Sequence, residues 1–231
     1  MMSALVSLSG GMDSTGVLHK AIQEHGSGHV QAVSFTYGSK HNQYENSAAN
    51  NVARYYGVLW HLIDLGPVFS CMESNLLKTG DDIPEGHYEQ DNMSQTVVPG
   101  RNMIFASILA GIAWTRNLDE VWMGIHTGDH AIYPDCREDF FHSMNDAVMA
   151  GTDNRVKLRA PFLRTDKTGI LQKCGNAAPW GLTRTCYKDQ IQACGKCGAC
   201  QERLEAFRNI GVVDPLSYDT REALPKNDQT S

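Results

Sequence analysis

The chain has 231 residues, 20 Lys+Arg against 26 Asp+Glu, a formal net charge of −6 and 42% hydrophobic residues. That length suits one domain with an appendage and can bury a core, and the acidic balance excludes a basic wrapper of DNA or RNA. Seven cysteines is an odd count for a fully paired secreted framework, and the longest apolar stretch, Met103 to Trp114, falls short of the roughly 18 residues a membrane span needs.

The apolar start meets Gly10 without a basic n-region, so no signal peptide is expected and the protein reads as cytoplasmic. Ala4–Leu8 is a buried-strand candidate, interrupted by Ser9-Gly10-Gly11 and followed by a helix through about His25. Val30–Tyr37 is a second strand. Over Gln43–Tyr56, Tyr44, Ala48, Val52 and Tyr55/Tyr56 recur at helical spacing. Leu59–Leu65 is a third strand. Residues 68–96, with Gly80, Pro84 and Gly86, read as an excursion or lid. A helix over Asn102–Arg116, a strand over Glu120–Ile125, a loop at 126–137 and a helix over Asp139–Ala150 follow. Val156–Pro161 is a weaker fifth strand and Asp166–Cys174 another helix.

Strands separated by helices imply βαβ units. The predicted fold is α/β, a mostly parallel five-stranded sheet with helices on both faces, over residues 1–180. Ligands of such sheets bind beyond the carboxyl ends of the strands, where the strand order switches. From Cys186 the text changes to a small cysteine-rich knob with a helix, Gln201–Asn209, within 181–212. Residues 213–231, with Pro215, Pro225 and many polar side chains, read as a mobile tail.

The spacing Cys186-x7-Cys194-x2-Cys197-x2-Cys200 offers four thiolates, enough for a tetrahedral Zn²⁺ site, and Gly195 and Gly198 let the loops curl around it. An iron–sulfur cluster and sulfur-carrying thiols are the alternatives at this point. Cys71, Cys136 and Cys174 are left as unpaired thiols.

Ser9-Gly10-Gly11-Met12-Asp13-Ser14 joins the first strand to the first helix. Its glycines let the backbone approach a phosphate, and the helix N-terminus behind offers free N–H groups. A tight turn with an Asp13 or Ser14 cap is the plainer reading. After an apolar strand, however, SGGMDS resembles the phosphate loop of the N-type ATP pyrophosphatases, the PP-loop superfamily. Three more strings occur in order: Val98-Pro99-Gly100-Arg101-Asn102, Tyr133-Pro134-Asp135-Cys136-Arg137-Glu138, and Thr185-Cys186-Tyr187 leading to Cys194-Gly195-Lys196-Cys197-Gly198-Ala199-Cys200. Over roughly residues 4–209 the chain therefore resembles the 7-cyano-7-deazaguanine (preQ0) synthase family.

That resemblance implies an ATP-dependent ligase that converts 7-carboxy-7-deazaguanine and ammonia to the nitrile through adenylates and an amide, releasing AMP and pyrophosphate. It implies ATP on Leu8, Ser9, Gly10, Gly11, Met12, Asp13, Ser14, Thr15, Gly16, Val17 and Leu18, Mg²⁺ with the ATP, and structural zinc on Cys186, Cys194, Cys197 and Cys200. It also suggests a homodimer without membrane or nucleic-acid partners. Asp13, Ser14, Arg101 and Lys167 are the expected catalytic residues, the two cations serving phosphate. Tyr133, Asp135 and Arg137 are expected at the substrate; Asp135 would accept both donors of a guanine-like edge, and capping a helix is its plainer role. His126-Thr127-Gly128-Asp129-His130 invites a metal reading through H-x3-H, against substrate hydrogen bonding or a structural loop. Cys136 reads as a packed thiol. Two other products within the fold are an amide or a conjugate with another amine, such as a protein N-terminus. A tRNA sulfur transferase is the rival from another class, disfavoured by the acidic balance and a closed thiolate quartet.

Overall fold

A strand with apolar side chains pointing both ways must be covered on both faces. The strand β1, Ala4–Ser7, is of this kind, with Ala4, Leu5 and Val6 fully buried. The computed structural model describes residues 2–78, 80, 95–126, 133–188 and 190–219. Beside β1 it contains β2 (Val30–Thr36), β3 (Leu59–Asp64), β4 (Glu120–Trp122) and β5 (Lys157–Arg159). They form one five-stranded parallel sheet in the order β3-β2-β1-β4-β5. The helices are α1 (Met12–His25), α2 (Asn42–Tyr56), the single turn α3 (Gly66–Phe69), α4 (Arg101–Thr115), α5 (Glu138–Gly151), α6 (Lys167–Cys174) and α7 (Gly198–Asn209).

The alternation along β1 divides the core in two. Leu5 joins Val33, Phe105 and Leu109 of α4 and Val148 of α5 on one face. Ala4 and Val6 join Val17 of α1, Val52 of α2, Ile170 of α6 and Phe207 of α7 on the other. The expected α/β sheet with helices on both faces is the observed one. Successive strands run outward from β1 to β3, and the chain then returns to place β4 on the other side of β1. The switch point lies between β1 and β4, so their carboxyl ends open the crevice that binds ligands in sheets of this type.

Several boundaries differ from the sequence reading, for local reasons. The strand expected to Ile125 ends at Trp122, because only Met123 N still reaches Arg159 O, at 2.9 Å, before the chain leaves at Gly124. The helix α4 starts at Arg101 behind a left-handed Gly100. The knob helix begins at Gly198, three residues early, with Cys197 as its N-cap. Within the expected excursion, Leu76 and Leu77 are buried and Leu77 pairs with Ser39; residues 79 and 81–94 lie outside the described residues. So do 127–132, which leaves only His126 of the H-x3-H segment. The tail expectation needs correction at its start: Asp214 is buried and Tyr218 pairs with Ala193 of the knob, so these residues are docked. Residues 220–231 lie outside the described set. Among the described residues no helix is long and apolar enough to cross a membrane.

Candidate active site

The glycine loop closes on itself before any ligand is considered. Ser9 N donates to Ser14 Oγ at 3.2 Å, the Ser9 and Ser14 hydroxyls are 3.0 Å apart, and Ser14 Oγ donates to Gly11 O at 3.2 Å. Gly10 has φ +81, and a Cβ there would come within 2.5 Å of Glu45 O and Ala49 N. The second turn of α2, Glu45 to Ala49, is thus pressed directly onto the loop. On the β4 side, a Cβ on Gly124 would meet Ser14 N at 3.2 Å, so the β4 exit brushes the start of α1. Leu8, Ser9, Gly11, Met12, Asp13 and Ser14 line the cleft at the switch point. Thr15, Gly16, Val17 and Leu18 are buried in α1 and do not line it, Gly16 packing against Ile170.

Charged groups converge from both faces of the sheet. Asp13 Oδ2 lies 3.4 Å from His126 Nε2 and 3.6 Å from Lys167 Nζ, which also contacts Glu202 Oε2 of α7 at 2.7 Å. Burial opposes the Asp13 carboxylate, but Lys167 and His126 outweigh it and hold its pKa well below the usual carboxylate range. Asp13 Oδ1 is buried with no partner among the described residues. From the other face, Arg101 Nη1 donates to Tyr37 Oη at 3.3 Å. Burial opposes its charge too, yet Tyr37, Asp135, Cys136 and Tyr133 together push the guanidinium pKa above its ordinary value. Arg101, Lys167 and Cys136 line the cleft.

The expected substrate residues stand one layer back. Asp135 Oδ2 accepts from Asn102 N at 2.8 Å and its carbonyl accepts from Asn102 Nδ2 at 3.1 Å, so Asp135 caps α4 across space. The helix it serves is not the following one, which the capping alternative had in view. Tyr133 Oη is 2.9 Å from Thr96 Oγ1, and Arg137 is exposed as the N-cap of α5. None of the three lines the cleft, but Asn102 and Cys136 beside them do.

The cleft also contains residues that sequence reasoning missed: Tyr37, His41, Glu45 and Arg184. Arg184 N donates to Gly10 O at 2.7 Å, and its guanidinium lies over the Tyr44 ring at 4.8 Å. Its Nη atoms donate to the carbonyls of Lys188, Gln190 and Ile191. It therefore connects the glycine loop to the knob. The signal available in sequence was the i,i+4 pair His41 and Glu45 at a helix start.

The knob gathers all four cysteines. Their Sγ atoms lie within 4.8 Å of one another and are buried, with Cys194 and Cys200 at 3.9 Å. Four thiolates around one zinc would sit about 3.8 Å apart. Backbone N–H groups of Lys188 and Cys194 point at Cys186 Sγ, and those of Lys196 and Cys197 at Cys194 Sγ, at 3.3–3.4 Å. Such donors stabilise thiolate charge. All seven cysteines are free of disulfides, and the donor set fits a metal such as zinc. Behind the quartet Arg203 is fully buried; Asp214 receives its Nε at 2.6 Å and Nη2 at 2.9 Å, while Thr183, Thr185 and Trp180 O take the remaining donors.

The family model described as Queuosine biosynthesis protein QueC matches residues 3–211. The 7-cyano-7-deazaguanine synthase of Alteromonas mediterranea is 44% identical over 218 residues, covering 94% of this chain and 99% of that protein. The enzyme of the same name from Pseudoalteromonas translucida is 42% identical over 217 residues, covering 93% and 98%. Among solved structures, the U34-tRNA thiolase NcsA from Methanococcus maripaludis gives a TM-score of 0.44 at 14% identity, over 74% of this chain and 54% of that one. A likeness that weak carries no functional weight.

Proposed function

This chain belongs to the QueC family, and from that membership we propose that it is an ATP-dependent C–N ligase forming 7-cyano-7-deazaguanine (preQ0) from 7-carboxy-7-deazaguanine and ammonia. The observation that carries the reading is 44% identity to a 7-cyano-7-deazaguanine synthase along 94% of the chain. The relatives' names do not favour an amide-forming ligase, transfer to another amine, or tRNA sulfur transfer.

The chemistry asks for activation twice. A carboxylate is a poor acyl donor because its leaving group would be oxide. Its oxygen attacks the α-phosphorus of ATP, pyrophosphate leaves, and ammonia displaces AMP to give the amide. The amide oxygen is adenylated in turn, and loss of AMP with the nitrogen's protons leaves the nitrile. The cleft at the switch point supports this use. Its glycine loop and the N-terminus of α1 offer backbone N–H groups to the pyrophosphate. Arg101 and Lys167, reaching it from opposite faces, would offset charge developing on the transferred phosphorus. Tyr133, Asp135 and Arg137 remain our candidates for the deazaguanine, Asp135 being held beside the cleft through Asn102.

Zinc is our assignment for the quartet, where Cys186, Cys194, Cys197 and Cys200 would hold it and its contribution would be folding energy. Magnesium would accompany ATP; a buried carboxylate oxygen without a partner among the described residues, Asp13 Oδ1, suits a hard cation, which would neutralise phosphate charge. A cytoplasmic homodimer acting on a free base without nucleic acid completes the reading, with residues 1–180 as the ATP domain and 181–212 as the knob. Incubation with 7-carboxy-7-deazaguanine, ammonia and Mg·ATP, followed by mass spectrometry, should yield nitrile, AMP and pyrophosphate. ADP and phosphate, or an amide that accumulates as the end product, would overturn it.

A further inference from the structure

Between the glycine loop and the knob lies a titratable pair to which the ATP chemistry above gives no task. His41 is the N-cap residue of α2 and only 2% exposed, yet it lines the cleft. Its Nε2 lies 3.4 Å from Glu45 Oε2, one helical turn on. A carboxylate at that nitrogen favours the tautomer with the proton on Nε2 and the lone pair on Nδ1. Nδ1 is buried and has no partner among the described residues.

The placement is rigid. Asn42 Oδ1 accepts from both Tyr37 N and Ser39 N at 3.0 Å, which fixes the turn that carries His41. The Tyr187 ring lies 5.2 Å away at 36° and holds the imidazole's face. Glu45 O presses on Gly10, so the pair sits one turn of helix from the loop expected to hold the phosphates. The residue thus stands in the wall of the cleft with one ring nitrogen not used by the surrounding described residues.

We propose that His41, positioned by Glu45, is the general base that takes protons from the reacting nitrogen, an inference that rests on the ligase activity proposed above. In the first half, a C–N bond forms as the C–O bond to AMP breaks, and the proton shed by nitrogen goes to Nδ1. In the second half the nitrogen sheds two protons: one goes to water as the O-adenylated amide becomes the neutral imidate, and the other goes to Nδ1 while the second C–O bond to AMP breaks, giving the nitrile. Glu45 stabilises the imidazolium formed each time. The base passes its proton to water between turnovers, so no oxidant or reductant is required.

The test separates activation of the acid from use of the nitrogen. His41→Asn keeps a polar atom where Nδ1 stood but provides no base. With carboxydeazaguanine and no ammonia, its ATP–pyrophosphate exchange should stay within about twofold of wild type. Hydroxylamine, largely unprotonated at neutral pH and able to shed its proton to water after attack, should still trap the adenylate as hydroxamate. Nitrile formation from ammonia, and from added amide, should drop by about 10²–10⁴-fold, the usual contribution of a general base. Glu45→Gln should show the same pattern at about tenfold. Exchange, hydroxamate and nitrile falling together in both variants would mean a structural role and overturn the proposal, as would nitrile formation at the wild-type rate in His41→Asn. Wild-type protein without carboxylate-dependent exchange would overturn the ligase reading itself, whereas an active wild type beside an equally active variant overturns only the base.

Discussion

At position 10 the backbone admits only glycine. Its φ is +81, and any Cβ would lie 2.5 Å from backbone atoms of α2 that cannot swing away. Gly11 differs: its φ is −74, and a Cβ there would meet nothing closer than Ser9 Oγ at 3.2 Å. Gly10→Ala should therefore destabilise the fold by about 2–4 kcal/mol, summing left-handed strain and overpacking. Gly11→Ala should leave the urea midpoint nearly unchanged and raise the KM for ATP, because its Cβ intrudes on the cleft. A Gly10→Ala protein as stable as wild type would sink the argument. In sequence these two glycines look alike, and only the position of α2 distinguishes them. The hydroxyls were legible as groups but not in their use: Ser9 and Ser14 bond each other first. Lys167 was legible as a cation near a helix start, while its two carboxylate neighbours come from α1 and α7, far away in the chain.

Elements whose pattern is local were readable, and those defined by partners were not. The near-continuous apolar text of β1 and the glycine at the end of α2, left-handed with its N–H on Ala53 O and Arg54 O, carry their reasons in the sequence. The start of α4 does not. Its side-chain acceptor comes from Asp135, 33 positions away, so a residue expected to read a base edge also ends a helix. The two roles separate by substitution. Asp135→Asn retains an oxygen for Asn102 N and should cost little stability, under about 0.5 kcal/mol, while Asp135→Ala should cost about 1–2 kcal/mol as caps do. If the second carboxylate oxygen faces the deazaguanine donors, both variants should lose substrate affinity. Wild-type affinity in the Asn variant would confine Asp135 to the cap. Arg184 and Arg203 escaped sequence reading for the same reason, each acquiring its meaning from a segment distant in the chain, whereas His41 carried a local signal in its i,i+4 pairing with Glu45.

At the scale of the molecule, the knob and the cleft are one construction. Arg184 connects them, Glu202 of α7 reaches Lys167, and Thr185, Tyr187 and Ala199 line the cleft. Yet in the cluster around the cysteines the other buried apolar residues are only Ala193 and Ala199, with Tyr187 and Tyr218 packed on them. That is too little surface to hold four thiols together. Zinc–thiolate sites contribute on the order of 10–16 kcal/mol, comparable to the whole stability of an ordinary domain, so a metal held by the quartet would carry this part of the fold. The seven cysteines divide accordingly. Cys71 is exposed, Cys136 is buried, and burial pushes the Cys174 thiol up to about 11 against the pull of Lys20 and Lys173. A thiol reagent at pH 8 should thus find one fast-reacting group in the metal-loaded protein. A strong chelator should then release one zinc per chain and expose four more thiols, with ligase activity lost in step while the far-ultraviolet signal of the sheet and its helices largely persists. The coupling predicts that order, because the strands lie outside the quartet while Arg184, Tyr187 and Lys167 would be held in place through it. Iron with labile sulfide in the metal analysis, or full activity after all four thiols have been freed, would contradict it.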